Sequence, residues 1–537
     1  MDELCYRTED IRPEDILDLF VETQQDRDVV EALKAASPIV LVGSRGVGKS
    51  FLLRVAEAEL SDSFAKQRVF PIYVTFRESS VIRTSDPVQF QHWMLARLCT
   101  YIIRYLRRDG LYSVAPESMS ILAGGPANTN AAGKTRIEEI TEAFESSWQN
   151  VDPTIDLTGL PTIDQFNDAI EEICRAADIR RLAVFIDEAA HIFLPEQQRQ
   201  FFTLFRDIRS PYLGCNAAIY PGVTSFGETF QPAHDATLLT LNRNILSTDY
   251  VGNMKEIVVK QAGSTLAGNI TRNGQNFAVL SYAASGNPRI LLKTIARAQR
   301  INNQEVNEIV REYYRTDIWS EHSGLDQKYG GHRSLIDWGR QFIETHVLPE
   351  LQKKNSIYLE TDKNTTCFFW IHRDAPQLVK EALRLLAYTG IVSEHSTGIK
   401  ATRSEIGTRY AVNLGCLFSL EAVPAATAFQ IARSLTVKRM SEYGANHPSY
   451  SRLLAEVPKF VEPDMSGALQ RQLEKSIDVL DITSWQKEQL RKLEIINVGD
   501  VLRTSETKLR EIYYVGEKRS RRMRNAAVAS VYEYLSG

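Results

Sequence analysis

The chain has 537 residues, of which 43% are hydrophobic and 24% charged, and its formal net charge is −4. That length predicts about three or four domains, and the near-balanced charge excludes polyanion binding by bulk charge, so any nucleic-acid surface is local. The 6 cysteines are scattered without a CxxC pair, which points to neither a zinc site nor a disulfide framework. No apolar run reaches the roughly 18 residues of a membrane span, and the polar, acidic start MDELCYRTEDIRPED lacks the pattern of a secretory signal. A cytoplasmic protein with reduced thiols and no membrane contact is expected.

Along the chain, the first strong signal is PIVLV (Pro38–Val42), a continuous apolar run of the kind found in strands buried on both faces. GSRGVGKS follows at once and fits G-x-x-x-x-G-K-[ST] at Gly43, Gly48, Lys49 and Ser50. Glycines let the backbone turn tightly, so that successive N–H groups point at phosphate oxygens. The next helix adds the positive end of its dipole. Gly43, Ser44, Arg45, Gly46, Val47, Gly48, Lys49, Ser50 and Phe51 are therefore the candidate nucleotide-binding residues. Lys49 can reach the β- and γ-phosphates, and Ser50 can ligate Mg²⁺.

Val69–Ser79 reads as a further strand, and the segment from Asp86 to Arg108 as an amphipathic helix. Gly110–Pro161 reads as an insertion whose LAGGPANTNAAGKT stretch is low in core formers and expected to be mobile. Within it, NTNAAGKT imitates the phosphate loop. Asn128 stands where the first glycine is needed and no apolar strand precedes it, so it is read as polar loop.

RLAVFIDEAAHIF supplies an acidic pair after a buried strand, Leu182–Ile186. Asp187 is the candidate for the Mg²⁺ shell and Glu188 for polarising the attacking water. Cys215–Phe226 and Ala236–Arg243 read as the fourth and fifth strands. Strands alternating with helices predict an α/β doubly wound parallel sheet, with ligand at the carboxyl ends of the strands.

With those residues in place, the chain resembles AAA+ ATPases, and within them the origin-recognition (ORC-type) branch that grades into STAND-type switch ATPases. The resemblance covers roughly Glu14 to Arg311. It implies ATP and Mg²⁺ as cofactors, with GSRGVGKS as Walker A and VFIDE as Walker B. It makes Thr224, or Ser225, the candidate sensor-one residue. It also makes Arg289, in GNPR at the start of a helix, the candidate sensor two, able to distinguish triphosphate from diphosphate through a charge-assisted contact. One family feature is missing. GETFQPAHD, between the fourth and fifth strands, carries no arginine that could serve as a finger, and Arg206, Arg209 and Arg243 are the possible substitutes.

The resemblance divides the chain into an ATPase core (14–245, insertion about 110–161), a helical lid (246–330), a winged-helix-like domain (331–422), a helical connector (423–470) and a C-terminal all-α domain (471–537). In the winged-helix-like part, a helix punctuated by Leu378, Leu383, Leu385 and Leu386 stops at Gly390. IVSEH, STG, IKAT and GTRYAVN then give short strands with a turn among them. The last domain carries two similar passages, LEIINVGDVL and LREIYYVGEKRSRRM, which resemble tandem helix-hairpin-helix units such as those at the C-terminal end of the bacterial RNA polymerase α subunit. Such turns present backbone N–H groups to a DNA phosphate. Gly516, Lys518, Arg519, Arg521, Arg522 and Arg524 are the candidate nucleic-acid contacts.

The leading functional expectation is an ATP-hydrolysing, DNA-binding ATPase of ORC type. A STAND-like signalling switch, with C-terminal modules that bind a protein partner or effector in a prokaryotic antiphage system, is the alternative from another class. A transposition or plasmid-maintenance regulator is a variant of the first. The sequence leaves the oligomeric state open.

Overall fold

The computed structural model describes residues 4–76, 87–126, 133–146, 155–189, 195–222, 224, 226–227, 229–327, 332–402, 404–456, 473–480 and 482–535. Ser225 and Arg403 lie outside them, as do Asn128 and most of the NTNAAG stretch. Among the described residues no helix is long and apolar enough to cross a membrane. No disulfide joins the six cysteines, five of which are buried.

Five parallel strands form the first sheet in the order β2–β3–β4–β1–β5. They are β1 (Ile39–Val42), β2 (Val69–Thr75), β3 (Arg181–Asp187), β4 (Leu213–Ile219) and β5 (Thr237–Thr240). β2, β3 and β4 are buried almost throughout, as apolar runs covered on both faces must be, whereas β5 is an exposed edge. β4 lies between β1 and β3, which places the loop after β1 and the acids after β3 at the same rim of the sheet. Asn216 anchors this arrangement from within: its amide donates to the Leu33 carbonyl at 3.1 Å and accepts from the Ile39 amide at 3.1 Å.

The insertion is more structured than its composition suggests. Helices Pro116–Ala123 and Arg136–Glu145 bury Met119, Leu122, Ile137, Ile140 and Phe144 against the long helix Pro87–Arg108. Thr135, the last residue of the imitation phosphate loop, caps the second of these helices in a capping box with Glu138.

After β5, five helices between Tyr250 and Glu312 form the lid. A second sheet follows, in the order β7–β8–β6–β9. Its strands are β6 (Phe368–His372), β7 (Val392–Lys400), β8 (Ile406–Val412) and β9 (Ser441–Tyr443). Here the sequence reading needs correction. STG lies inside the long strand β7, and the hairpin turns at 401–405, where Ala401 donates to the Glu405 carbonyl and Ser404 takes a left-handed φ of 60°. The 423–470 stretch is not only a connector, because it contributes β9, which pairs with β6. Lid and second sheet share one continuous apolar core, running from Met254 and Leu280 through Trp319 and Leu335 to Leu383 and Tyr443. The C-terminal helices, Ser484–Lys492, Val498–Arg503, Glu506–Leu509 and Glu517–Leu535, enclose a smaller core of their own built on Leu490, Val501, Leu509 and Met523.

Candidate functional site

The helix Lys49–Asp62 starts at Gly48, whose φ of 107° is left-handed, and Gly46 adopts φ 88°. A Cβ on Gly46 would lie 2.8 Å from both the Arg289 Cβ and the Asn287 Oδ1, so only glycine fits between loop and lid. The backbone amides of residues 46–50 donate to no protein acceptor among the described residues. A row of such unsatisfied donors at a helix N-terminus is the chemistry of a phosphate cradle.

Lys49 is buried within the loop. Its ammonium donates to the carbonyls of Gly43 at 2.6 Å and Ser44 at 3.1 Å, and sits 3.9 Å from the centroid of the Tyr220 ring. Burial pulls its pKa down to about 7, opposed by the charge of Asp187 and reinforced by that of Arg289. Asp187, at the end of β3, is held from two sides: the Tyr73 hydroxyl donates to Oδ2 at 2.6 Å and the Glu188 amide to Oδ1 at 2.9 Å. Arg54 stacks on Tyr73 from outside, 3.4 Å from the ring centroid. Glu188 bends the chain away from the strand with a left-handed φ of 56°.

The donor set fits a hydrated magnesium ion. Among the described residues no group of three or more His, Cys, Asp or Glu could cage a metal. Mg²⁺ in such sites takes one or two protein oxygens and completes its shell with phosphate and water. Ser50 and the fixed carboxylate of Asp187 are the oxygens available here.

The structure brings Gly46, Gly48, Lys49, Ser50, Phe51 and Arg289 into one pocket beside the loop. Arg289 follows the helix cap Asn287, whose side chain accepts from the Ile290 amide and donates to the Arg45 carbonyl at 2.8 Å. The Arg289 Nε donates to the Tyr6 carbonyl at 3.1 Å. Residues 5–8 thus close the pocket, upstream of the expected domain start at 14, and their mixed polar sequence gave no sign of it. Gly43, Ser44 and Val47 face a second cleft, between the sheet rim and the second sheet. Thr224 lines that cleft rather than the loop pocket, and its hydroxyl donates to the Tyr220 carbonyl at 2.8 Å. β4 ends at Ile219, so Thr224 stands in the loop beyond it, and Tyr220 is the residue that meets the phosphate loop. Arg45 points to neither pocket and pairs with Glu321 at 3.2 Å.

Of the arginines near the missing finger, Arg206 is tied to Asp207 and the Thr229 carbonyl, and Arg243 to Asp26 and the Val47 carbonyl. The pairing of Arg243 with Asp26 leaves no trace in the sequence because the two are 217 positions apart.

The helix Gln377–Thr389, the leucine-punctuated helix of the expected winged-helix-like part, packs its backbone on the ATPase core. A Cβ on Gly222 would clash with the Arg384 carbonyl, and Gly390 lies against Ser44. Lys380 donates to the Arg373 carbonyl and Arg384 pairs with Glu381. In the C-terminal domain, residues 493–497 join Ser484–Lys492 to Val498–Arg503, and residues 510–516 join Glu506–Leu509 to Glu517–Leu535. A Cβ on Gly516 would meet nothing within 4 Å, so that turn is open. Lys518 and Arg519 are exposed, Lys518 near Asp374 at 3.7 Å and Arg519 5.6 Å from the Trp485 ring centroid; Arg522 is exposed too. Arg521 instead binds Asn446 and Glu517, and the Nε of Arg524 is buried, so these two belong less to the open face. Tyr513 and Tyr514, 79% and 69% exposed, stand at the tip of the same turn.

A family model described as ORC-CDC6-like matches residues 5–82, a stretch that contains the phosphate loop and the segment that closes its pocket. Loop, acidic pair and strand order define the class as a parallel-sheet P-loop fold, and its first strand, phosphate loop and following helix lie in the stretch similar to the ORC-CDC6-like family. Similar solved structures include the Walker-type ATPase of Pyrococcus abyssi, at 12% identity and TM-score 0.36, over 80% of this chain and 97% of that one. The Aeropyrum pernix ORC1 protein in complex with DNA aligns at 14% identity and TM-score 0.29, over 78% and 93%. The Aeropyrum pernix ORC2 protein, in ADPNP-ADP complexes, aligns at 12% and 0.34, over 76% and 93%. No curated protein sequence matches the chain.

Proposed function

We propose that this chain is an ATPase that binds and hydrolyses ATP with Mg²⁺ at the loop 43–51 and couples the nucleotide state to duplex DNA held by its C-terminal hairpins. The observation that carries the reading is the set of loop amides at residues 46–50 without a protein acceptor among the described residues, beside the buried Lys49, with Asp187 and Glu188 at the end of β3 on the same rim of the sheet. Magnesium would draw charge from the phosphates and be held by Ser50 and Asp187. Glu188 accepts a proton from the attacking water. Arg289, on the lid, and Thr224, near the second cleft, are the proposed sensors. The DNA contact is a backbone contact through the Gly516 turn with Lys518, Arg519 and Arg522, supported by Arg521 and Arg524 behind them. ATP turnover measured with and without duplex DNA across a salt series tests it: stimulation that fades as salt rises supports the coupling, and indifference to DNA at low salt refutes it.

A second reading has its own support. The contact of Arg384 with Gly222, and of Gly390 with Ser44, turns the winged-helix-like module toward the nucleotide site rather than toward a duplex. That favours a STAND-like switch in which the module opens when nucleotide changes and a protein partner or effector reads the opening. A nucleotide-dependent change in oligomeric state with a partner, and no retention on DNA, would select it.

A further inference from the structure

Arg243 follows β5, and the sequence offers it only as a substitute for the missing arginine finger. Its Nη1 donates to the Val47 carbonyl at 2.5 Å, and its Nη2 to both carboxylate oxygens of Asp26, at 3.0 and 3.2 Å. The ion pair is deeply buried, with side-chain exposures of 11% for Arg243 and 3% for Asp26. The Thr23 hydroxyl also donates to Asp26, at 2.9 Å. Both members line the loop pocket together with Gly46, Gly48 and Lys49, and a Cβ on Gly48 would lie 3.7 Å from Nη2.

We infer that Arg243 is a positioning residue of the nucleotide site, holding the Val47–Gly48 peptide of the phosphate loop and cancelling the charge of Asp26 at the pocket wall; this rests on the nucleotide reading above. The peptide is planar and trans, so its carbonyl and the following N–H point to opposite sides. A cation fixed on the Val47 carbonyl therefore holds the Gly48 N–H to the side away from Arg243, where it meets no protein acceptor among the described residues. The charge-assisted bond also polarises that peptide and strengthens its N–H as a donor. Asp26 is the counter-charge. Buried and unpaired beside a polyanion it would repel the ligand, and paired it is neutralised.

A plain structural staple and a positioning pair respond differently. The full-length chain and its variants are titrated with MgADP and MgATP by calorimetry, with thermal midpoints measured in parallel. Asp26→Asn leaves Arg243 on Val47 and removes the opposing charge. It is expected to lower the midpoint yet bind both nucleotides more tightly; weaker binding overturns the assignment. Asp26→Asn/Arg243→Met removes the pair without leaving a lone buried charge. It is expected to lose roughly tenfold in affinity, by the same factor for ADP and ATP, because loop amides cradle the α- and β-phosphates. Asp26→Asn/Arg243→Lys restores a donor for Val47 and is expected to recover most of that loss. Equal affinities for the Met and Lys variants overturn the assignment. A wild-type chain that takes up neither nucleotide overturns the proposed function and this inference with it.

Discussion

The ammonium of Lys49 lies 3.9 Å from the centre of the Tyr220 ring while donating to two carbonyls of its own loop. Strand β4 thereby meets the phosphate loop after β1 through the first residue beyond its end. Lys49→Ala is expected to weaken adenine-nucleotide binding by roughly a hundredfold, the worth of a charge-assisted contact to phosphate. Fluorescent-nucleotide titration checks this, and binding within a few-fold of wild type would contradict it.

Glu188→Gln should keep nucleotide affinity and lose turnover. A positioned general base contributes on the order of 10² to 10⁴ in rate, so single-turnover hydrolysis should slow by at least about a hundredfold while binding changes little. Parental turnover in this variant would remove Glu188 from its role.

Charge reversal of Lys518, Arg519 and Arg522 together should cut DNA retention without touching nucleotide binding, because these exposed side chains beside the open Gly516 turn do not line the loop pocket. For every DNA phosphate that the variant no longer neutralises, the slope of log affinity against log salt should fall by about 0.9. Fluorescence anisotropy at several salt concentrations reads the slope, and an unchanged slope would place the DNA-binding surface elsewhere.

His322 provides a pH test remote from the nucleotide. It is buried between the Ile336 carbonyl and the Thr389 hydroxyl, at 3.3 Å from each. Burial lowers its pKa to about 4, with the Ile336 carbonyl opposing and Arg340 reinforcing. Between pH 6.5 and 4 the unfolded chain therefore takes up a proton that the folded chain refuses, so stability falls as pH falls through that window. The loss attributable to this residue is at most about 3 kcal/mol. Urea unfolding of wild type and His322→Gln at about pH 7 and about pH 4.5 measures it: the difference in stability between the two pH values should shrink in the variant.

What the sequence revealed was what lies close together along it. The phosphate loop, the β3 acids and the Asn287 cap each sit within about ten residues of the pattern that marks them, and the structure places loop and acids at one rim of one sheet. What it concealed joins distant segments. Asp26 and Arg243 are 217 positions apart, and Tyr6 meets Arg289 across 283, so neither pair leaves a period or a spacing to read. The separate short strands expected at IVSEH, STG and IKAT are one strand for a different reason: cross-strand pairing with β8 carries β7 through Ser-Thr-Gly despite its turn chemistry, with irregular register.

Because the lid helices and the second sheet are packed around one uninterrupted interior, they cannot be displaced separately without opening that interior to water. The helix Glu517–Leu535 packs on the helix Gln377–Thr389, which itself lies against Gly222 and Ser44 of the ATPase core. A single helix thus stands between the phosphate loop and the basic hairpin, so a shift of that helix on the core would be felt on both sides.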